Sequence, residues 1–158
     1  MGQPSMPPEL DTDTHRKLGV GLYNFTWTLM EKPDRTAEET DLMIHGAHAS
    51  RYHWEKVAAP VNRARGEWLC ARVYAVLGRA EPALWHAQRC LAIVEQGGGG
   101  FEDWDRASAL EAVARAHAVA GDRAAAERYK SLAVAELPKI ADTDDREVIE
   151  KDLASIPV

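Results

Sequence analysis

Cysteine is nearly missing from this chain of 158 residues: Cys70 and Cys90 are the two present, and neither belongs to a Cys-x-x-Cys pair. That spacing removes the common zinc and thiol-redox motifs, and reduced, buried thiols are the expected state. Strand-forming material is also thin, with aromatic residues at 7% and only two phenylalanines, so a large sheet is excluded. No apolar run approaches the roughly 18 residues that a membrane-spanning helix requires, so no membrane association is expected. The opening MGQPSMPPEL is proline-rich and acidic rather than basic and then apolar, which predicts no signal or transit peptide and hence a cytoplasmic protein. Basic charge is short too: 19 Lys and Arg against 25 Asp and Glu leave a net charge of -6, and a nucleic-acid partner, which needs a basic footprint, is not expected. The run Gly97 to Gly100 lacks the Gly-Lys-Ser/Thr of a phosphate loop and leads into Phe101-Glu102-Asp103, so no nucleotide and no other cofactor is expected.

What the chain has in quantity is alanine, 26 residues, within a hydrophobic share of 46%. That composition favours helix and suffices for one domain with a core. Apolar spacing predicts seven helices. The first covers about 14–31, with Leu18, Leu22, Phe25 and Leu29 on one stripe, and stops at Lys32-Pro33-Asp34. Thr36 caps the second, which carries Glu38 and Glu39 near its positive end and reaches Val57. The third runs from Val61 to Leu77 and ends at Gly78; the fourth opens at Glu81-Pro82 and reaches Glu95. The fifth spans about 102–120 and ends at Gly121, Asp122 caps the sixth to Leu137, and Asp142 or Thr143 caps a short seventh with Ile149, Leu153 and Ile156 on one stripe. The expected organisation is therefore a disordered tail over 1–13 and a single domain over 14–158.

Helices three to six contain an internal repeat with an offset of 43 residues, which aligns Ala71 with Ala114, Gly78 with Gly121, Ala83 with Ala126 and Cys90 with Ala133. Small residues at crossing points let two helix axes approach to about 8 Å, where leucine does not fit. The pattern resembles the tetratricopeptide repeat, with helices longer than its usual 34 or so residues allow, and with His117 where Tyr74 supplies the usual aromatic. The resemblance implies an all-α fold: a short right-handed α-solenoid of three antiparallel helix hairpins, about 14–57, 61–95 and 102–137, closed by a cap at about 143–156. The runs His48–Trp54 and Arg72–Leu84 also resemble bacterial proteins of similar length.

Two constellations are candidates for function. On helix two, Met43, Ala47, Trp54, Val57 and Ala58 form the core face, while Asp41, His45, His48, Tyr52 and Glu55 recur along another edge. That edge is either a solvated face or a polar pocket wall able to bind or relay protons. His45 and His48, joined by Asp41 and His86, fall short of a recognised metal motif, and no metal site is expected. On helix three, Asn62, Arg65 and Arg72 share one side with Trp68 beside it. Stacking as in the repeat family brings Arg65, Trp68 and Arg72 together with Ser108, Glu111 and Arg115 in a concave groove, where guanidiniums beside an indole suit a carboxylate, a phosphate or a planar ligand. Alternatively Glu111 pairs with Arg115, and Arg63 with Glu67, four residues apart on one helix.

A form of the repeat family clamps acidic C-terminal peptides with lysine and asparagine; here Arg65, Arg72 and Arg115 stand on the equivalent face with Asn62 as the asparagine. Trp27, Trp54, Trp85 and Trp104 are expected in packing and Trp68 in the groove, with His117 a hydrogen-bonded core residue and His86 exposed. The leading expectation is a non-catalytic interaction module binding an acidic peptide or protein partner through Arg65, Trp68 and Arg72. The alternatives are a protein or enzyme taking a small anionic ligand between helices two and three through His45, His48 and Tyr52, and a self-assembling homodimer. No nucleophile with an adjacent base is legible, which weighs against catalysis.

Overall fold

The computed structural model describes residues 2–158, and Met1, the first residue of the expected tail, lies outside them. Seven α-helices follow one another: α1 Thr12–Met30, α2 Ala37–Val57, α3 Pro60–Val76, α4 Ala80–Gln96, α5 Asp105–Val119, α6 Arg123–Glu136 and α7 Thr143–Ala154. Among the described residues there is no strand, and no helix is long and apolar enough to cross a membrane. Each helix packs on the next, except that α7 returns to both α5 and α6, and α3 also touches α1 and α5. The odd-numbered helices therefore form one continuous side of the molecule, and the candidate site is built on it.

Local chemistry sets most helix ends. The Thr36 hydroxyl accepts from the Glu39 N–H while the Glu39 carboxylate accepts from the Thr36 N–H, a reciprocal box that satisfies two otherwise unpaired donors. Asp11, Asp122 and Asp142 cap α1, α6 and α7 in the same sense. The internal repeat has a backbone counterpart. Gly78 and Gly121 take φ of 70° and 78°, and the residues after them donate to Tyr74 and His117 carbonyls at 2.9 Å and 3.0 Å. Ala71, Ala83 and Cys90 and their partners Ala114, Ala126 and Ala133 are all buried.

Two elements depart from their expected form. α5 begins at Asp105 rather than Glu102, because the Asp105 carboxylate accepts from the Glu102 N–H at 2.7 Å and holds 102–104 as a turn. On α1, the apolar stripe supplies only part of the core face: Leu29 is buried, but Leu18 and Phe25 are exposed, and His15, Gly19 and Thr26 are buried in their place. The cause is close approach to α2. A Cβ on Gly19 would stand 2.7 Å from the Trp54 ring, and one on Gly46 would stand 2.8 Å from the Thr26 hydroxyl. The two glycines thus bring the backbones together, and the Ser50 hydroxyl donates to the Gly19 carbonyl at 2.7 Å. The larger apolar side chains flank that contact instead of entering it.

Candidate functional site

All three groove arginines are brought to one side, and each meets a carboxylate of this chain. Arg65 on α3 donates through Nε and Nη2 to the two oxygens of Asp105 on α5, at 3.0 Å and 2.9 Å, and its guanidinium lies over the Trp104 ring at 4.4 Å. Arg72, two turns further along the same face of α3, reaches Glu111 at 3.2 Å and Asp152 of α7 at 3.1 Å, and covers the Trp68 ring at 4.8 Å. Arg115 donates to Glu111 at 2.7 Å and, at 2.8 Å each, to the Asp152 carbonyl and the Ser155 hydroxyl. Glu111 is only 1% exposed. Such buried pairs hold one another because neither member can return to water without stranding the other. The sequence offered Glu111 and Arg115 as a pair and they are one, but Arg63 does not meet Glu67: its Nε is buried without a partner, and Glu67 turns toward Arg51 and His86.

Beside this network α1, α3, α5 and α7, with Cys90 and Val94 of α4, line a cavity of about 290 Å³. Its walls are aromatic: Tyr23 and Trp27 from α1, Trp68 from α3 and Trp104 at the start of α5. The Trp27 and Trp68 rings stack at 5.9 Å with 27° between their planes. Asp145, Val148, Ile149 and Asp152 of α7 close the cavity on one side, and Ser108 and Ala109 line it from α5. The indole Nε1 of Trp68, a residue of this wall, is buried with no acceptor among the described residues. An unpaired donor at the wall of an apolar cavity is the arrangement by which a pocket orients a ligand. Burial pushes the Tyr23 phenol up, so it stays a neutral hydroxyl.

The second constellation divides. Asp41, His45, Tyr52 and Glu55 are exposed, whereas His48 turns inward. Its Nε2 lies 2.8 Å from the Tyr74 hydroxyl and its Nδ1 3.9 Å from the Cys70 sulfur. The His86 ring stacks on Tyr74 and meets His48 edge-on at 5.2 Å. His86 is half-buried rather than exposed, with Nδ1 2.6 Å from Glu67, whose other oxygen accepts from Arg51 at 2.9 Å. This cluster ties α2, α3 and α4 together. It does not activate a nucleophile, since burial pushes the Cys70 thiol up to about 12.

The histidines carry a pH dependence instead. Burial, then the neighbouring His86, holds His48 below its ordinary 6.5, and burial with His15 does the same for His53, whose Nδ1 is 2.8 Å from that of His15. A folded-state value below the unfolded one means that the unfolded chain binds these protons more readily. The stability they contribute is full above pH 6.5 and is lost as pH falls through the folded values. Urea midpoints are expected to drop between about pH 7.5 and about pH 5.5, with a slope of up to about 1.4 kcal/mol per pH unit for each proton bound. His48→Phe should flatten that slope; an unchanged slope would remove His48 as a cause.

Of the residues singled out by sequence, Arg65 and Trp68 line the cavity, Arg72, Glu111 and Arg115 form the ion network beside it, and Asn62 is half-buried outside the wall. His45, His48 and Tyr52, on α2, are not among the residues lining the cavity. Sequence reasoning missed Tyr23, Trp27, Trp104, Asp105, Asp145 and Asp152 as site residues. Tyr23 with Trp27, and Asp145 with Asp152, recur at helical spacing and so share faces, but nothing local announces that those faces meet. Compared with known proteins, the chain matches no family model, no curated protein and no solved structure.

Proposed function

We propose that this protein is a small-ligand-binding module, a short right-handed solenoid of three tetratricopeptide-like hairpins and a cap, whose concave side holds a compact apolar molecule in the aromatic cavity. The observation that carries this reading is the cavity itself, with four aromatic side chains around about 290 Å³ and the unpaired Trp68 N–H in its wall. Its size is near the lower end of typical small-molecule pockets, about 300 Å³. The matching glycine turns at Gly78 and Gly121 support the hairpin repeat. A cytoplasmic setting fits two buried, unpaired thiols. A small ligand is favoured over an acidic peptide because the peptide's carboxylates would have to displace Asp105, Glu111 and Asp152 from guanidiniums they already hold.

Indole is a fitting probe of the aromatic walls, being planar, apolar and smaller than the cavity. At about ten times its dissociation constant it should raise the melting midpoint by about 3–6 degrees. Ser108→Leu, which places a larger side chain at the wall, should fold normally and lose that shift. No shift in the native protein, or an equal shift in Ser108→Leu, would refute the cavity as the binding site.

A further inference from the structure

Taking that binding site as given, we infer that its ligand is an organic cation: an ammonium or similar head carried on a compact apolar body. The first observation is charge. Four carboxylates, Asp105, Glu111, Asp145 and Asp152, surround the cavity and its ion network, against the three guanidiniums of Arg65, Arg72 and Arg115. Those guanidiniums engage Asp105, Glu111 and Asp152 and leave Asp145, on the α7 side of the cavity, with no ion-pair partner among the described residues. The site therefore carries one excess negative charge next to an apolar wall.

The second observation is the rings. The chain already lays its own cations on two of them, Arg65 over Trp104 and Arg72 over Trp68, at distances where the negative ring face attracts a positive charge. Trp27 and Tyr23, the other two aromatic walls, carry no cation among the described residues. A cation entering between Asp145 and these rings finds a counter-charge and aromatic walls that hold no cation of the described residues, and its body lies on apolar surface. An anion meets Asp145 and Asp152, and Arg65, the arginine among the residues lining the cavity, is already held by Asp105. The Trp68 N–H adds a donor for an acceptor atom on the body of the ligand.

Phenylbutylamine, phenylbutanol and phenylbutyrate share one apolar body and differ in the charge of the head. Calorimetric titration of the full-length protein should rank the amine first, about five- to tenfold tighter than the alcohol, with the butyrate weakest. Asp145→Asn, a substitution at an exposed position, should remove most of the amine's advantage over the alcohol, and added salt should act in the same direction. Equal binding of alcohol and amine, or preference for the butyrate, overturns the cation inference while leaving the cavity as a binding site. Indole binding without any binding of the amine overturns it as well. Failure of all three probes together with indole removes the binding reading itself.

Discussion

Glu111→Gln should lower the unfolding free energy by about 3–5 kcal/mol, the cost of stranding buried charges when one member of a pair is neutralised. Glu111 is 1% exposed and receives Arg72 on one oxygen and Arg115 on the other. The amide keeps the shape and one acceptor but offers no charge to either guanidinium. Arg72 then relies on Asp152, which is itself part-exposed, and Arg115 on the Asp152 carbonyl and Ser155. Because both fallback partners lie at the end of α7, that helix should loosen first, and amide exchange in α7 should accelerate beyond the global change. Small domains have about 5–15 kcal/mol in total, so the variant should unfold at a visibly lower urea midpoint. Glu127→Gln is the matched control. Its pair with Arg123 is also four residues apart, but the two side chains are 54% and 75% exposed, so the change should stay within about 0.5 kcal/mol. Equal midpoints for the two variants would show that the buried network contributes no more than a surface pair.

Asp105→Asn should act on stability and on binding together. Asp105 is 5% exposed, pairs with Arg65 through both oxygens and accepts the Glu102 N–H that sets the start of α5. Asparagine can keep the turn through its carbonyl oxygen but presents Arg65 with an amide nitrogen where an oxygen stood. Arg65 is about one-third exposed, which moderates the penalty, so a loss of about 2–3 kcal/mol is expected. Function should shift more distinctively. With Arg65 released over Trp104, the cavity gains the free guanidinium that it otherwise lacks, and its excess negative charge disappears. Phenylbutylamine should lose its advantage and phenylbutyrate should bind at least as well as the alcohol. Retention of the native ranking would mean that the charge of Asp105 does not reach the ligand.

The contrast between these two carboxylates and the arginines they hold explains how far the sequence could be read. Arg65, Trp68 and Arg72 share a face of α3 by spacing alone, and Arg115 sits four residues after Glu111, so the residues that gather on the inner side were legible. Their state was not. Arg65 and Asp105 are 40 residues apart, and Arg72 and Asp152 are 80 apart, so no local pattern says that these charges cancel. The same holds on α2, where equal spacing put His45 and His48 on one edge although only His48 is turned toward Tyr74. The apolar stripe of α1 misled for a related reason: Gly19 and Gly46 select which face approaches, and hydropathy does not register a glycine as a contact.

The sequence by itself determined the helices and most of their ends, because caps such as Thr36 with Glu39 and turns such as Gly78 and Gly121 are closed by groups within a few residues of one another. It also determined the 43-residue repeat, whose small residues act wherever two helices cross. Only the tertiary structure decided that α7 would return to α5, that its Asp152 would share Arg72 with Glu111, and that four aromatic rings from three segments would wall one cavity. Those outcomes depend on which buried charges find partners, a condition set jointly by distant segments of the chain and therefore carried by none of them alone.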